Sequence, residues 1–184
     1  MQSLTMTDLA TFVKAADFAA RKHRFQRRKD EVASPYINHP IAVANVLATE
    51  ADISDPVILC AAVLHDTIED TETTDTELIQ IFGEQITQIV LEVTDDKSLP
   101  QQVRKQLQIE HAPHLSDRAK TVKLADKICN LRDTATAPPI GWTTARCREY
   151  FEWAAKVISG VRGTNPTLEA LFDEIYARGI TQFV

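Results

Sequence analysis

Glycine is scarce, 5 in 184 residues. That is too few for a glycine-rich nucleotide loop or for a β architecture that turns on many tight hairpins. No run of about 20 apolar residues occurs, so neither a membrane-spanning helix nor a membrane partner is expected. The segment from Met1 to Leu9 is polar and lacks the apolar centre of a secretory signal. Cysteine is limited to Cys60, Cys129 and Cys147, widely spaced in helix-patterned, mostly apolar stretches. They read as buried thiols of a reducing compartment, the cytoplasm, and not as a disulfide or zinc framework. No stretch shows convincing period-two alternation, and no repeat or low-complexity segment occurs.

What is present is ordinary in bulk and uneven in placement. At 44% hydrophobic and 25% charged residues the chain has the composition of a soluble globular protein. Its length allows one domain with a sizeable core, or at most two small ones. The net charge of -6 hides a strong asymmetry. Arg21, Lys22, Arg24, Arg27, Arg28 and Lys29 form a basic segment, whereas His65 to Asp96 holds ten acids and no Lys or Arg. A cationic segment beside an anionic metal site is what a phosphorylated substrate needs. The bland alternative is two solvated faces that ignore each other. The acidic balance argues against a nucleic-acid partner, which calls for a broad basic face.

The most informative stretch begins at Asp55-Pro56, an N-cap residue followed by proline in the first helical position. The apolar run Val57-Ile58-Leu59-Cys60-Ala61-Ala62-Val63-Leu64 then predicts a helix buried on all sides. His65-Asp66-Thr67-Ile68-Glu69-Asp70 follows, and a continuing helix brings His65, Asp66, Glu69 and Asp70 into one neighbourhood. Three carboxylates at a helix C-terminus oppose the helix dipole. Two like charges ~4 Å apart repel by roughly 4 kcal/mol at an effective dielectric of ~20. A bound cation relieves that repulsion. A solvated acidic helix end is the plainer reading, but the apolar run should carry His65 and Asp66 into the core.

The remaining chain reads as helix after helix with short connections, hence an all-α domain. A first helix runs from about Thr7 to the basic segment, with His23 on its apolar side as a satisfied core histidine. His39 precedes Pro40, which should hold it in extended geometry at the entrance of a helix from Ile41 to about Glu50. Thr74-Asp75-Thr76-Glu77 caps a short helix that stops at Gly83, and another carries Ile86, Ile89, Val90 and Val93. Pro100 to about Ala112 is polar and belongs at the surface. Ser116 or Asp117 caps a helix to Asp133, with Asp126 and Asn130 on one face. A carboxylate in so apolar a helix must be paired, by Lys123 or Lys127, or bound to a cation. Further helices run from Thr143 to about Val161, with Arg146 and Tyr150 four apart, and from Asn165-Pro166 to Arg178. Aromatic residues at such spacing usually serve the core.

His39, His65-Asp66 and Asp126 together offer two imidazoles and two carboxylates, a mixed set for Mn²⁺, Fe²⁺, Zn²⁺ or Mg²⁺. The order His, His-Asp, Asp across an all-α chain resembles the HD-domain phosphohydrolases. Arg27-Arg28-Lys29, Tyr36-Ile37-Asn38-His39-Pro40, His65-Asp66-Thr67-Ile68-Glu69-Asp70, Val93-Thr94-Asp95-Asp96-Lys97 and Lys123-Leu124-Ala125-Asp126-Lys127 are similar to the hydrolase domain of RelA/SpoT enzymes. Within these the small stand-alone form, the metazoan SpoT homologue type, is the nearest, over about Leu9 to Gly179. The resemblance implies an HD-domain helical bundle, one domain over residues 1–184, that hydrolyses (p)ppGpp at the ribose 3′ position to GDP or GTP and pyrophosphate. It implies one divalent metal ion, usually Mn²⁺, on His39, His65, Asp66 and Asp126, and a catalytic Glu69-Asp70 pair. Arg28 and Lys29 would hold phosphate groups, and Arg146, Asn130 and Tyr150 would touch phosphate or nucleoside. A basic residue expected soon after Pro100 is replaced by Gln101-Gln102. No room remains for a synthetase domain, so breakdown alone is expected.

Two rivals use the same residues. An NADPH 2′-phosphatase needs the same metal, carboxylates and basic segment. A non-catalytic nucleotide-binding sensor would be expected to have lost a ligand or the Glu69-Asp70 pair, and none is lost.

Overall fold

Polarity puts the two most deeply buried helices at the centre. The computed structural model describes residues 5–183, and among these it is all-α, with only an isolated bridge between Arg27 and Pro35 as extended pairing. Helix α1 is Met6–Lys22, α2 is Asn38–Asn45 and α3 is Pro56–Leu64. Asp55 Oδ1 accepts the Val57 N–H at 2.9 Å, and Pro56 opens α3 as the sequence predicts. Residues 58–64 are all buried, and each of its large aliphatic side chains contributes about 1.5–3 kcal/mol by leaving water. Helix α3 is wrapped by α1, α2, α6 (Glu84–Val93) and α8 (Asp117–Thr136).

Helix α8 is the second buried rod. Its residues 121–129 are buried without a break, including Lys123, Asp126 and Lys127. It packs on α2, α3 and α6 on one side and on α9 (Thr144–Ser159) and α10 (Pro166–Ile180) on the other. Ser116, Thr143 and Asn165 cap α8, α9 and α10, each accepting a first-turn N–H at 3.0–3.2 Å. Short α4 (Thr67–Asp70) and α5 (Asp75–Phe82) link α3 to α6. Helix α7 (Gln101–His111) buries no residue, in keeping with its polar sequence.

Two expectations are corrected. The helix from Pro56 does not continue to Asp70. It stops at Leu64, Asp66 turns at φ -95° and ψ -2°, and α4 starts afresh. Side chains take the carbonyls that would have carried it on: His65 Nδ1–H donates to Ala62 O and Thr67 Oγ1–H to Leu64 O, both at 2.7 Å. His39 is not extended. It lies inside the first turn of α2, whose helical conformation already holds at Ile37. The other end of α2 runs on as a π-helical turn, Val46–Glu50, and Glu50 accepts two hydrogen bonds from Arg132 of α8 at 2.7 Å. That pair of hydrogen bonds ties α2, and His39 with it, to the helix that carries Asp126.

Candidate active site

Three helices deliver the donor atoms. His39 comes from the first turn of α2, His65 from the end of α3 and Asp126 from the middle of α8, and one donor atom from each lies within 4.8 Å of the others. His39 Nε2 is 3.2 Å from Asp126 Oδ1 and 3.8 Å from Asp66 Oδ2. His65 Nε2 is 3.1 Å from Asp66 Oδ2 and 3.8 Å from Asp126 Oδ1. Three of the four expected residues, His39, His65 and Asp126, thus form one mutual cluster, and Asp66 Oδ2 lies beside both of its imidazoles.

The donor set fits a divalent cation. His65 Nδ1 carries the proton that it donates to Ala62 O, so the Nε2 lone pair points at the carboxylates. That Nε2 is buried and has no hydrogen-bond partner among the described residues. Positive charge is in demand here. Burial opposes protonation of His65, yet the Asp66 and Asp126 carboxylates outweigh it and push the ring up to about 9. Burial likewise disfavours charge on Asp66 and Asp126, but the facing imidazoles, with Lys127 beside Asp126, hold both well below the usual carboxylate range.

Outer contacts aim these groups. Tyr36 Oη–H donates to Asp66 Oδ2 at 2.7 Å; burial, then the carboxylate beside it, raises the phenol's pKa. Lys127 Nζ donates to Asp126 Oδ2 at 3.1 Å and lies 4.6 Å from the centre of the Trp153 ring. Asn130 Nδ2 donates to Asp126 Oδ1 at 2.5 Å. The pairing of Asp126 with a lysine is thus real for Lys127, whereas Lys123 donates to Val93 O at 3.0 Å. Neither contact removes Asp126 Oδ1 from the imidazoles.

The break after Leu64 separates the acidic residues. Glu69 lines the cavity holding His65 and Asp66, and burial raises its carboxyl's pKa. Its Oε2 accepts the Asp95 N–H at 3.1 Å. Asp70 lines a neighbouring cavity, pairs with Lys97 and accepts Gln26 Nε2–H on Oδ2 at 2.7 Å. The acidic run is therefore offset from outside itself, by Lys97, the first Lys or Arg after Lys29. Gln26 is fixed in turn by His23, whose Nδ1 is 2.6 Å from Gln26 Oε1. His23 is buried as expected but only half satisfied, since its Nε2 has no partner among the described residues.

The cleft has two chambers. The larger, about 700 Å³, is lined by Arg27, Arg28, Lys29 and Trp142 among others. The smaller, about 210 Å³, holds His65, Asp66, Glu69 and Asp126. Tyr36, His39, Asn130 and Tyr150 border both. Of the substrate contacts expected from the sequence, Arg28, Lys29, Asn130 and Tyr150 line the cleft. Burial pushes the Tyr150 phenol up to about 12. Arg28 pairs with Asp133 and lies 5.7 Å from the Tyr36 ring centre. Arg146 lines neither chamber; it is exposed, 4.7 Å from the ring centre of Trp142. Sequence reasoning missed Gln26, Arg104 and Trp142, and it held Tyr36 and Lys97 only as members of the motifs that carry the resemblance, without a role. Lys97 alone carried a local signal, as the base that ends a long acidic run.

A protein-family model described as HD domain matches residues 15–149. The chain belongs to the HD-domain family. Among HD-domain relatives, the Homo sapiens guanosine-3′,5′-bis(diphosphate) 3′-pyrophosphohydrolase MESH1 is 56% identical over 176 residues, 95% of this chain and 98% of its own length. The Drosophila melanogaster protein of the same name is 50% identical over 91% of this chain and 93% of its own. A solved structure presented under the words "A metazoan ortholog of SpoT hydrolyzes ppGpp and plays a role in starvation responses" superposes with a TM-score of 0.91 at 48% identity, covering 98% of this chain and 99% of that one. The likeness to these relatives thus runs along nearly the full chain, not the motifs alone.

Proposed function

We propose that this HD domain, acting as one unit over residues 1–184, is a metal-dependent (p)ppGpp 3′-pyrophosphohydrolase. The observation that carries the reading is the meeting of His39, His65, Asp66 and Asp126 in the chamber that holds Glu69, with His39 also bordering the basic chamber. The curated relatives named above, alike over nearly their whole length, support the same substrate.

The reaction adds water across the bond between the ribose 3′-oxygen and its phosphorus. A new oxygen–phosphorus bond forms, the 3′-oxygen leaves and takes up a proton, and GDP or GTP and pyrophosphate result. A divalent cation on the four ligands, Mn²⁺ before Fe²⁺, Zn²⁺ or Mg²⁺, supplies Lewis acidity that makes water a nucleophile at neutral pH and offsets phosphate charge. Glu69, with Oε2 occupied by the Asp95 N–H and its pKa raised by burial, is suited to take the water proton on Oε1. Asp70, held by Gln26 and Lys97, orients water on the side of the large chamber. Arg28 and Lys29 there receive phosphate oxygens, and Tyr150 and Asn130 position the ribose end. Arg146, stacked on Trp142 at the rim, reaches phosphate only from outside the chamber. The three free cysteines fit a reducing, cytoplasmic setting.

The deciding experiment compares ppGpp with NADPH at equal concentration in Mn²⁺. Release of pyrophosphate from ppGpp at much the higher kcat/KM is the expected result. Faster phosphate release from NADPH would make this a 2′-phosphatase, and binding of ppGpp without turnover would make it a sensor.

A further inference from the structure

The small chamber contains more basic groups than the reacting centre uses. Arg104, Lys105, Lys123 and Lys127 line it together with Asp66, Glu69, Asp95 and Asp126. Leaving the two histidines aside as neutral metal ligands, four cations face four carboxylates, so a divalent cation leaves the chamber with two positive charges in excess. An anion of about that charge then belongs in it. Lys123 and Lys127 are engaged by Val93 O and Asp126, and Lys105 lies over the Tyr150 and Trp153 rings. Arg104 is not comparably engaged. Its Nη1 is 3.8 Å from Glu69 Oε1 and 3.9 Å from Asp95 Oδ2, beyond hydrogen-bond range, and its Nε is buried without a partner among the described residues. A buried guanidinium N–H left unpaired is costly unless a ligand accepts from it.

Size divides the substrate between the chambers. At about 700 Å³ the large one lies within the range that takes a nucleoside-sized ligand, and the small one, about 210 Å³, lies below it. The small chamber suits phosphate groups better than a base and sugar. The nucleoside and its 5′-phosphates must therefore sit on the Arg27–Lys29 side. What projects beyond the reacting phosphorus, away from the ribose, is the second phosphate of the 3′-diphosphate.

We propose that the small chamber is a subsite for this distal phosphate and that Arg104 is its principal binding group. The assignment rests on the (p)ppGpp reading for its place in the reaction. It supplies what that reading lacks, a reason to prefer a 3′-diphosphate over a ribose monophosphate such as the 2′-phosphate of NADPH. Arg104 also provides a cation near the place where Gln101-Gln102 stand in α7.

The test measures inorganic pyrophosphate and orthophosphate binding to the full chain by calorimetry at fixed free Mn²⁺, beside ppGpp kinetics. The wild type is expected to favour pyrophosphate. Arg104→Gln should weaken pyrophosphate about tenfold, the loss of one charge-assisted hydrogen bond, and weaken orthophosphate much less. It should raise KM for ppGpp more than it lowers kcat. Arg104→Lys, which keeps the charge but loses the fork, should recover part of the preference and guards against a folding defect. Equal losses for the two anions, or none, would overturn the subsite even if ppGpp is cleaved. An Arg104-dependent pyrophosphate preference in a protein that fails to cleave ppGpp would instead keep the subsite and overturn the substrate.

Discussion

At the scale of single residues, position relative to water decides each role. Glu69 and Asp70 are neighbours in sequence, yet burial raises the pKa of Glu69 while Gln26 and Lys97 both donate to Asp70. Replacing Glu69 by Gln keeps the shape and removes the base. Metal content should stay at the wild-type level, and kcat should fall by about 10²–10⁴-fold. The wild-type kcat/KM should decline as pH falls through the raised Glu69 pKa, since the protonated carboxyl accepts nothing, and Glu69→Gln should lack that acid limb. A pH–rate profile of both proteins checks it; an acid limb that survives in Glu69→Gln would remove Glu69 from proton transfer. The sequence showed His39, His65, Asp66 and Asp126 because their residue types and order are distinctive. It did not show the contact of Tyr36 with Asp66, because the two lie thirty residues apart and only the fold brings them together.

At the scale of elements, caps and apolar runs made most helices legible. Asp55-Pro56, Ser116, Thr143 and Asn165-Pro166 begin the helices that they announce. The break at His65-Asp66 was hidden because two side chains there outcompete backbone N–H groups for the Ala62 and Leu64 carbonyls. His39 before Pro40 was misread because the proline preference is a bias that tertiary packing of α2 overrides. Packing also explains Gly179, buried in α10. A Cβ there would fall inside contact distance of Phe151 Cε1 and within 2.5 Å of its Cζ. Gly179→Ala gains up to about 1 kcal/mol of helix propensity, but overpacking costs about 1–3 kcal/mol. Because Phe151 is fully buried and hemmed by Tyr176 and Phe183, the overpacking wins. A thermal melt should show a lower Tm, by about 2–4 °C for each kcal/mol lost. An unchanged or higher Tm would mean that Phe151 has room to move.

At the scale of the molecule, the fold serves to bring α2, α3 and α8 together at one point. The Glu50–Arg132 pair ties α2 to α8, and the apolar body of α3 holds His65 and Asp66 in the interior. Charge is arranged on the same plan, with the Arg27–Lys29 segment lining the large chamber and Asp66, Glu69 and Asp126 lining the small one. Convergence of donor atoms from three helices on one cation is the claim on which the chemistry depends, and metal stoichiometry tests it most directly. Elemental analysis after removal of loosely bound ions should find one divalent metal per chain in the wild type and almost none in Asp126→Ala at an unchanged helical content. One metal per chain retained by folded Asp126→Ala would contradict it.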